Sequence, residues 1–436
     1  MSRRLADRVL RNYEWQDPAG QCSPIEIMSR IYPEMFGRGL SAPSPESTQG
    51  DADVVDLGIG TYLRTDPEIA RAVSIGVQAR DLHYLRLPEV NQLVAQKYLD
   101  EQGVTLDPQS QIFLTAGART AMTLALLRLL NPGERVVIPD PDYVGLHHVA
   151  RGLGATVVRV PMRRGPDGAL SVDLLRLIET VREGCRLVMI TNPNNPAGYV
   201  WSPKELAALS EAIAEMDAVL LVNEVYDKLT FPGERHVSAL AACDPSRSIV
   251  ASGPGKAYDI TGLALGWLAG PEELLYPMAD VSFMFHIPMP SAAALYAAGA
   301  ALSEPLRSQH PARSVAILEE NARLAAEAFA QVPGFEFPRI GGGQFAFPWV
   351  GVDDVELCLQ LKKAAGVSLM PGSAWGRMGR GHVRVALANM PEIHSRAVAR
   401  LRAGLMRIDL LRSRRIAAPC PGAFDPGQPA AGSAGG

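Results

Sequence analysis

SGPGKAYDITGLALGW, residues 252 to 267, sets one lysine, Lys256, in a glycine-rich turn directly behind the apolar run Ser248-Ile249-Val250-Ala251. That run has the composition of a short buried strand. A lysine on the lip between a strand and a glycine loop is a candidate Schiff-base amine, because a partly desolvated ammonium loses its proton more easily and becomes a nucleophile. Taken alone, a surface lysine in a turn is the commoner reading. The residues that accompany Lys256 along the chain reverse it.

The chain has 436 residues, 47% of them hydrophobic, enough for one large or two medium domains with a substantial core. A formal charge of -4 and the lack of any lysine and arginine run with interleaved aromatics give no case for a nucleic-acid partner, so a small metabolite is the expected ligand. Cys22, Cys185, Cys243, Cys358 and Cys420 stand singly, which indicates neither a zinc site nor a disulfide framework. His147 and His148 are adjacent and no HExxH occurs, so no metal is expected. No apolar run reaches the ~18 residues of a membrane span and no hydrophobic segment follows the basic start MSRRLADRVLR; no membrane partner is expected, and the cytoplasm is the default compartment.

Residues 1 to 53 read as an arm and linker, with helices around 5 to 13 and 24 to 36 and the polar segment SAPSPESTQGDAD. From residue 54, VVDLGIGTYLRTDP begins as a strand and enters a Gly58-Ile59-Gly60 turn, which either brings backbone close to a ligand or is a tight bend. Short apolar runs then follow at 112 to 115, 136 to 139, 156 to 160, 187 to 191, 219 to 222, 249 to 251 and 264 to 269. Amphipathic segments such as TAMTLALLRLL and SPKELAALSEAIAEM lie between them. The alternation predicts an α/β domain over 54 to 314, with a mostly parallel seven-stranded sheet and helices on both faces. A smaller α/β domain is expected over 315 to 412, with a strand over 382 to 388, and a disordered tail over 413 to 436.

In such sheets ligands bind at the carboxyl ends of the strands. Gly117-Ala118-Arg119-Thr120 follows the first run and opens a helix, offering N–H groups to a phosphate or simply capping the helix. Tyr143 follows the second, an aromatic able to lie on a ring or to pack in the core. NPNNPAG, residues 192 to 198, follows the fourth, with more asparagine than a turn requires. Asn223-Glu224-Val225-Tyr226 follows the fifth and Lys256 the sixth. Five independent bland explanations would have to coincide. Arg384, alternating with apolar residues in HVRVALA, is either a surface arginine or a planar partner for a carboxylate.

Three glycine motifs carry no phosphate chemistry. GPGK lacks the first glycine and the Ser or Thr of a P-loop, with Val250 and Ala257 in their places. Gly152-Leu153-Gly154 ends a helix where a dinucleotide fingerprint would open one, and Gly341-Gly342-Gly343 leads into the aromatic segment QFAFPWV.

Taken in order, TAGARTAM, PDPDY, NPNNPAG, NEVYDKL, GKAYDITGLALGW, PGSAWG and HVRVALA resemble the class I and II aminotransferases, pyridoxal phosphate enzymes of fold type I, from about residue 54 to 410. The resemblance implies that Lys256 binds the cofactor aldehyde and shuttles the substrate α-proton. It implies that Tyr143 stacks on the pyridine ring, that Asn195 and Tyr226 hold its 3-oxygen, and that Gly117, Ala118 and Arg119 hold the phosphate. Arg384 would clamp the α-carboxylate of an amino acid-like substrate, with Gly60 and Asn195 beside it. Tyr84, in HYLRLPEV, would reach the phosphate of a neighbouring subunit, which implies a homodimer.

This sequence departs from the family pattern in its charged anchors. Asn223 stands where the family has the aspartate that protonates the ring nitrogen, Ala264 where it has a phosphate-binding arginine, and Gly253 and Gly255 where it has serines. Two accounts follow: the cofactor is retained, with Arg119 or Ser252 replacing the lost anchors, or the fold catalyses a cofactor-independent condensation, cyclisation or elimination. A non-catalytic ligand-binding protein is a third.

Overall fold

The computed structural model describes residues 54–58, 64–78 and 87–408. The expected arm, the tail, Gly60 and Tyr84 lie outside the described residues.

In chain order the strands are β1 (Val55–Asp56), β2 (Ile112–Thr115), β3 (Arg135–Asp140), β4 (Thr156–Pro161), the small hairpin β5 (Arg163–Arg164) and β6 (Leu170–Ser171), β7 (Leu187–Thr191), β8 (Val219–Asn223), β9 (Ser248–Ser252), β10 (Gly266–Ala269), β11 (Phe345–Ala346), β12 (Val367–Ser368), β13 (Met370–Pro371) and β14 (Val383–Ala386). The helices are α1 (Pro67–Gln78), α2 (Pro88–Gln102), α3 (Ala118–Leu129), α4 (Val144–Gly152), α5 (Leu174–Arg182), α6 (Pro203–Glu215), α7 (Ala239–Ala242), α8 (Glu272–Met284), α9 (Ala292–Ala301), α10 (Leu306–Phe329), α11 (Asp354–Ala365) and α12 (Pro391–Leu405).

Seven strands form one sheet in the order β2-β10-β9-β8-β7-β3-β4. β10 runs antiparallel to both its neighbours and the other pairings are parallel. The expected α/β fold with a mostly parallel seven-stranded sheet is therefore the observed one. β7, β8 and β9 are buried along their whole length, as strands covered on both faces must be. Period-two alternation divides their side chains: Val188, Ile190, Leu220 and Val222 enter the core on one face, and Leu187, Met189, Val219 and Leu221 that on the other.

Local chemistry ends the helices. Ser202 and Glu205 form a capping box at the start of α6, Ser291 accepts the N–H of Ala294 at α9, and Gly366 closes α11 in the left-handed conformation. A third core joins Val55 and Leu57 to α10, α11, α12 and the three-stranded sheet β11-β14-β13. β1 pairs with β12, so the first described residues are tied to the C-terminal region.

Three boundaries differ from expectation. The strand expected from 264 starts at Gly266, because Ala264 takes a left-handed conformation (φ 50°) after a 3-10 turn at Thr261–Leu263. Phe345–Ala346 of the aromatic segment and Val383–Ala386 of the later run form strands, and Trp349 meets His382 through an isolated antiparallel bridge. The stretch SVAILEENARLAAEAFAQV reads as a helix from Ser314, yet α10 starts eight residues earlier at Leu306 and carries Pro311 in its second turn, where the missing N–H removes one bond without ending the helix.

Candidate functional site

Parallel register brings the expected residues together. Thr191 lies opposite Asn223, and Asn223 opposite Ala251, so the carboxyl ends of β7, β8 and β9 are flush. The segments that leave them, NPNNPAG, NEVY and SGPGK, therefore emerge side by side.

Lys256 occupies a turn fixed by its own backbone. The N–H of Tyr258 donates to the Pro254 carbonyl at 3.0 Å, that of Ile260 to the Gly255 carbonyl at 3.1 Å, and the Lys256 carbonyl accepts from Gln344 Nε2 at 3.3 Å. Burial, with the positive charges of Arg384 and Arg119, pulls the Lys256 amine down to about 8, against an opposing pull from Asp259.

Asn195 is the hinge of a polar chain. Its Nδ2 donates to the Tyr226 hydroxyl at 3.3 Å and its Oδ1 accepts from Arg384 Nη1 at 3.2 Å. Arg384 also donates through Nη2 to the Gly58 carbonyl at 2.7 Å. Its guanidinium lies 3.8 Å from the Phe345 ring centroid and 4.2 Å from that of Trp375. Burial lowers Arg384 to about 10, and Tyr226, Asp56 and Tyr143 are close enough to act on its charge. Burial likewise raises the Tyr226 hydroxyl well above the usual phenol range. Asn223 is buried at the end of β8 with its Oδ1 unbonded, and the Gln344 Oε1 is unbonded as well. Orphaned buried acceptors cost free energy unless a ligand or water answers them.

Gly117 heads α3 with φ 97°, a conformation that favours glycine, and the N–H groups of the first helical turn have no acceptor within the helix. Gly266 packs so closely that a Cβ there would lie 2.2 Å from the Ala118 nitrogen. Arg119 is exposed at this helix start, whereas the Ser252 hydroxyl is buried and donates to the Glu224 carbonyl at 3.1 Å. Tyr143 precedes α4 with its ring against Gly145, where a Cβ would lie 2.9 Å from it. Asp142 braces that tyrosine from behind: it accepts from the Thr191 N–H at 3.1 Å and from the Thr191 hydroxyl, and burial pushes its carboxyl up to about 7.

Phe345, Trp375, Gln344 and Asp142 were not among the site residues expected from sequence. Asp142 and Trp375 do lie inside quoted motifs, PDPDY and PGSAWG, but their contacts cross 49 residues to Thr191 and nine residues to Arg384 through folded backbone. Among the described residues no group of three or more His, Cys, Asp or Glu is arranged to hold a metal ion, and no helix is long and apolar enough to cross a membrane.

A lysine behind the central strands, a glycine-headed helix beside it and a clamped arginine on the C-terminal sheet define the fold-type I aminotransferase class. More narrowly, the chain belongs to the aminotransferases of class I and II, whose family model matches residues 52–400. Members of that family are enzymes that use pyridoxal phosphate. The chain is 29% identical to the aromatic-amino-acid aminotransferase 2 of Thermococcus litoralis over 362 residues, 81% of this chain and 92% of that one. It is 28% identical to the aspartate aminotransferase of Pyrococcus abyssi over 363 residues, again 81% and 92% of the two chains. The crystal structure of an aromatic aminotransferase from Pyrococcus horikoshii OT3 superposes with a TM-score of 0.75 at 27% identity, covering 81% of this chain and 96% of that one.

Proposed function

We propose that this protein is a pyridoxal phosphate-dependent aminotransferase acting on an amino acid, with Lys256 as the cofactor-bearing lysine. The observation that carries the reading is the convergence of a buried amine of lowered pKa, the Asn195–Tyr226–Arg384 chain and two orphaned acceptors at the ends of β7, β8 and β9. The residues present fit the cofactor, because the glycine-headed start of α3 gives a phosphate N–H donors and the orphaned Asn223 Oδ1 is an acceptor for a ring nitrogen that carries its proton.

When bound, the cofactor supplies an aldehyde for the lysine amine and a ring that withdraws electrons from the substrate α-carbon. In this reading Tyr143 lies against the ring, Asn195 and Tyr226 hold its 3-oxygen, and Gly117, Ala118 and Arg119 hold the phosphate. Ser252, already bonded to Glu224, contributes by supporting the strand end and not as a free hydroxyl. Arg384 pairs with the substrate α-carboxylate, its plane fixed by the two aromatic rings. The Lys256 amine, about half unprotonated near pH 8, takes and returns the proton at the substrate α-carbon.

The neutral Asn223 makes this site atypical, since an amide does not hold a ring nitrogen protonated as a carboxylate does. The same residue, with Ala264 in place of a cation, favours the second reading, a cofactor-independent lysine catalyst. One experiment separates them. Pyridoxal phosphate is added to the purified protein, the mixture is reduced with borohydride, and the modified peptide is mapped. An adduct on Lys256 is expected, together with amino transfer from L-aspartate or L-phenylalanine to a 2-oxo acid, the donors for which the relatives are named. No adduct at millimolar cofactor would overturn the cofactor reading.

A homodimer completes the proposal. Phe283, Met284 and Phe285 leave large apolar side chains in solvent at the end of α8, with Tyr276 exposed nearer its start, Met289 beyond it and Phe283 83% exposed. A cytoplasmic location accords with the free thiols of Cys185, Cys243 and Cys358.

A further inference from the structure

The adjacent strands β3 and β4 carry a buried ion pair that the chemistry above does not use. Arg159 Nη2 lies 2.7 Å from Asp140 Oδ1, and both side chains are almost wholly enclosed. Burying such a pair costs desolvation on both sides, and a well-packed apolar pair of the same volume is often as stable. Its remaining bonds show what it holds. Arg159 Nη2 also donates to the carbonyl of Trp375, and Asp140 accepts the backbone N–H groups of Met378 and Arg377. All of them end on the pair of 3-10 turns Gly372–Trp375 and Arg377–Gly379. Between those turns Gly376 has φ 121°, and a Cβ there would fall 2.2 Å from Arg159 Nη1, so this turn and this arginine fit only each other. The Trp375 indole then rests on the Arg384 guanidinium. Among the described residues no carboxylate forms an ion pair with Arg384, which is oriented by two hydrogen bonds and two rings.

We propose that Arg159, braced by Asp140, is a positioning residue for the carboxylate site: it ties the Trp375 backbone to the large sheet and so fixes the indole over Arg384. The proposal rests on the reading of Arg384 as the carboxylate-binding group. It makes one of the two rings on Arg384, the Trp375 indole, depend on β3 and β4, while the other, Phe345, comes from the C-terminal sheet that carries Arg384 itself.

The test uses Arg159→Lys, which keeps the charge opposite Asp140 but carries it on a shorter side chain without the Nη2 that bonds both Asp140 and the Trp375 carbonyl, together with Arg159→Met. KM for the amino donor is expected to rise by about tenfold in Arg159→Met and by less in Arg159→Lys, with kcat within about threefold of wild type. A general loss of folding would lower active protein without producing that split. The second readout needs no turnover: the emission of Trp375, taken as the difference between each protein and its Trp375→Phe counterpart, is expected to move to the red in both variants. Should Arg159→Met fail to fold, the two readouts on Arg159→Lys decide alone. Unchanged KM and unchanged Trp375 emission overturn the proposal. Absence of turnover in the wild-type protein would instead defeat the aminotransferase reading, while the emission shift would still report whether Arg159 positions the indole.

Discussion

Lys256 titrates near 8 because burial and the Arg384 and Arg119 charges oppose its protonated form. In the cofactor-free protein, the rate at which Lys256 reacts with an aldehyde reagent should therefore rise with pH around a midpoint near 8. Arg384→Leu removes a repelling positive charge, so the midpoint should move up; a midpoint that stays put would mean that the Arg384 charge does not act on Lys256. With cofactor added, Asn223→Asp should shift the bound absorption band toward the protonated-ring form, and no change would show that residue 223 does not face the ring nitrogen. Glu224 offers a stability test of the same kind. It is buried, accepts from the Ser238 hydroxyl and the Ala239 N–H at 2.8 Å each, and burial raises it from 4.5 to about 8. The folded form holds a proton that the unfolded chain releases near 4.5, so this contribution is complete below that pH and is lost as pH climbs through about 8. The urea midpoint of the wild-type protein should fall over that window relative to Glu224→Gln. At this scale strand-end position singles out Lys256, Asn195 and Tyr226 in the sequence, and alternation with apolar residues singles out Arg384. Trp375 and Arg159 were not, because a side chain's partner across the fold leaves no mark on its own neighbours in sequence.

Elements were legible where local chemistry sets them. The Ser202 and Glu205 capping box marks α6 in the sequence, and Ser202→Ala should cost about 1 kcal/mol in denaturant unfolding. The start of β10 shows the limit. Ala264 belongs to an apolar run, yet the 3-10 turn before it forces a positive φ and delays the strand to Gly266. The reason Gly266 is glycine lies on another element, the first turn of α3. Gly266→Ala would press a methyl group onto the Ala118 backbone, and it should cost about 1–3 kcal/mol while displacing the N–H groups proposed to hold phosphate. Isothermal titration with pyridoxal phosphate checks the second effect, which should exceed that of a loop glycine change elsewhere.

At the scale of the molecule, the proposed dimer has a direct measurement. Phe283→Glu and Phe285→Glu place charge in the exposed apolar run, and sedimentation should show a wild-type dimer that dissociates in these variants; a monomeric wild-type protein would refute the assembly. The division at 314 and 315 into a large and a small domain we keep as a proposal, supported by a core that the C-terminal sheet and its helices dominate and that Met162, Ala197, Tyr226 and Leu229 join from the large sheet's side. The sequence alone determined the elements, the strand-end chemistry and the family, because hydrophobic period, caps and ordered motifs are local properties that the chain states in one dimension. Only the tertiary structure decided that Asn195 bridges Tyr226 to Arg384, that two rings hold the guanidinium, and that Arg159 of β4 braces one of them. Those contacts join residues 9 to 216 positions apart, and their distances are set by sheet register and the close approach of backbones, which no neighbouring residue records.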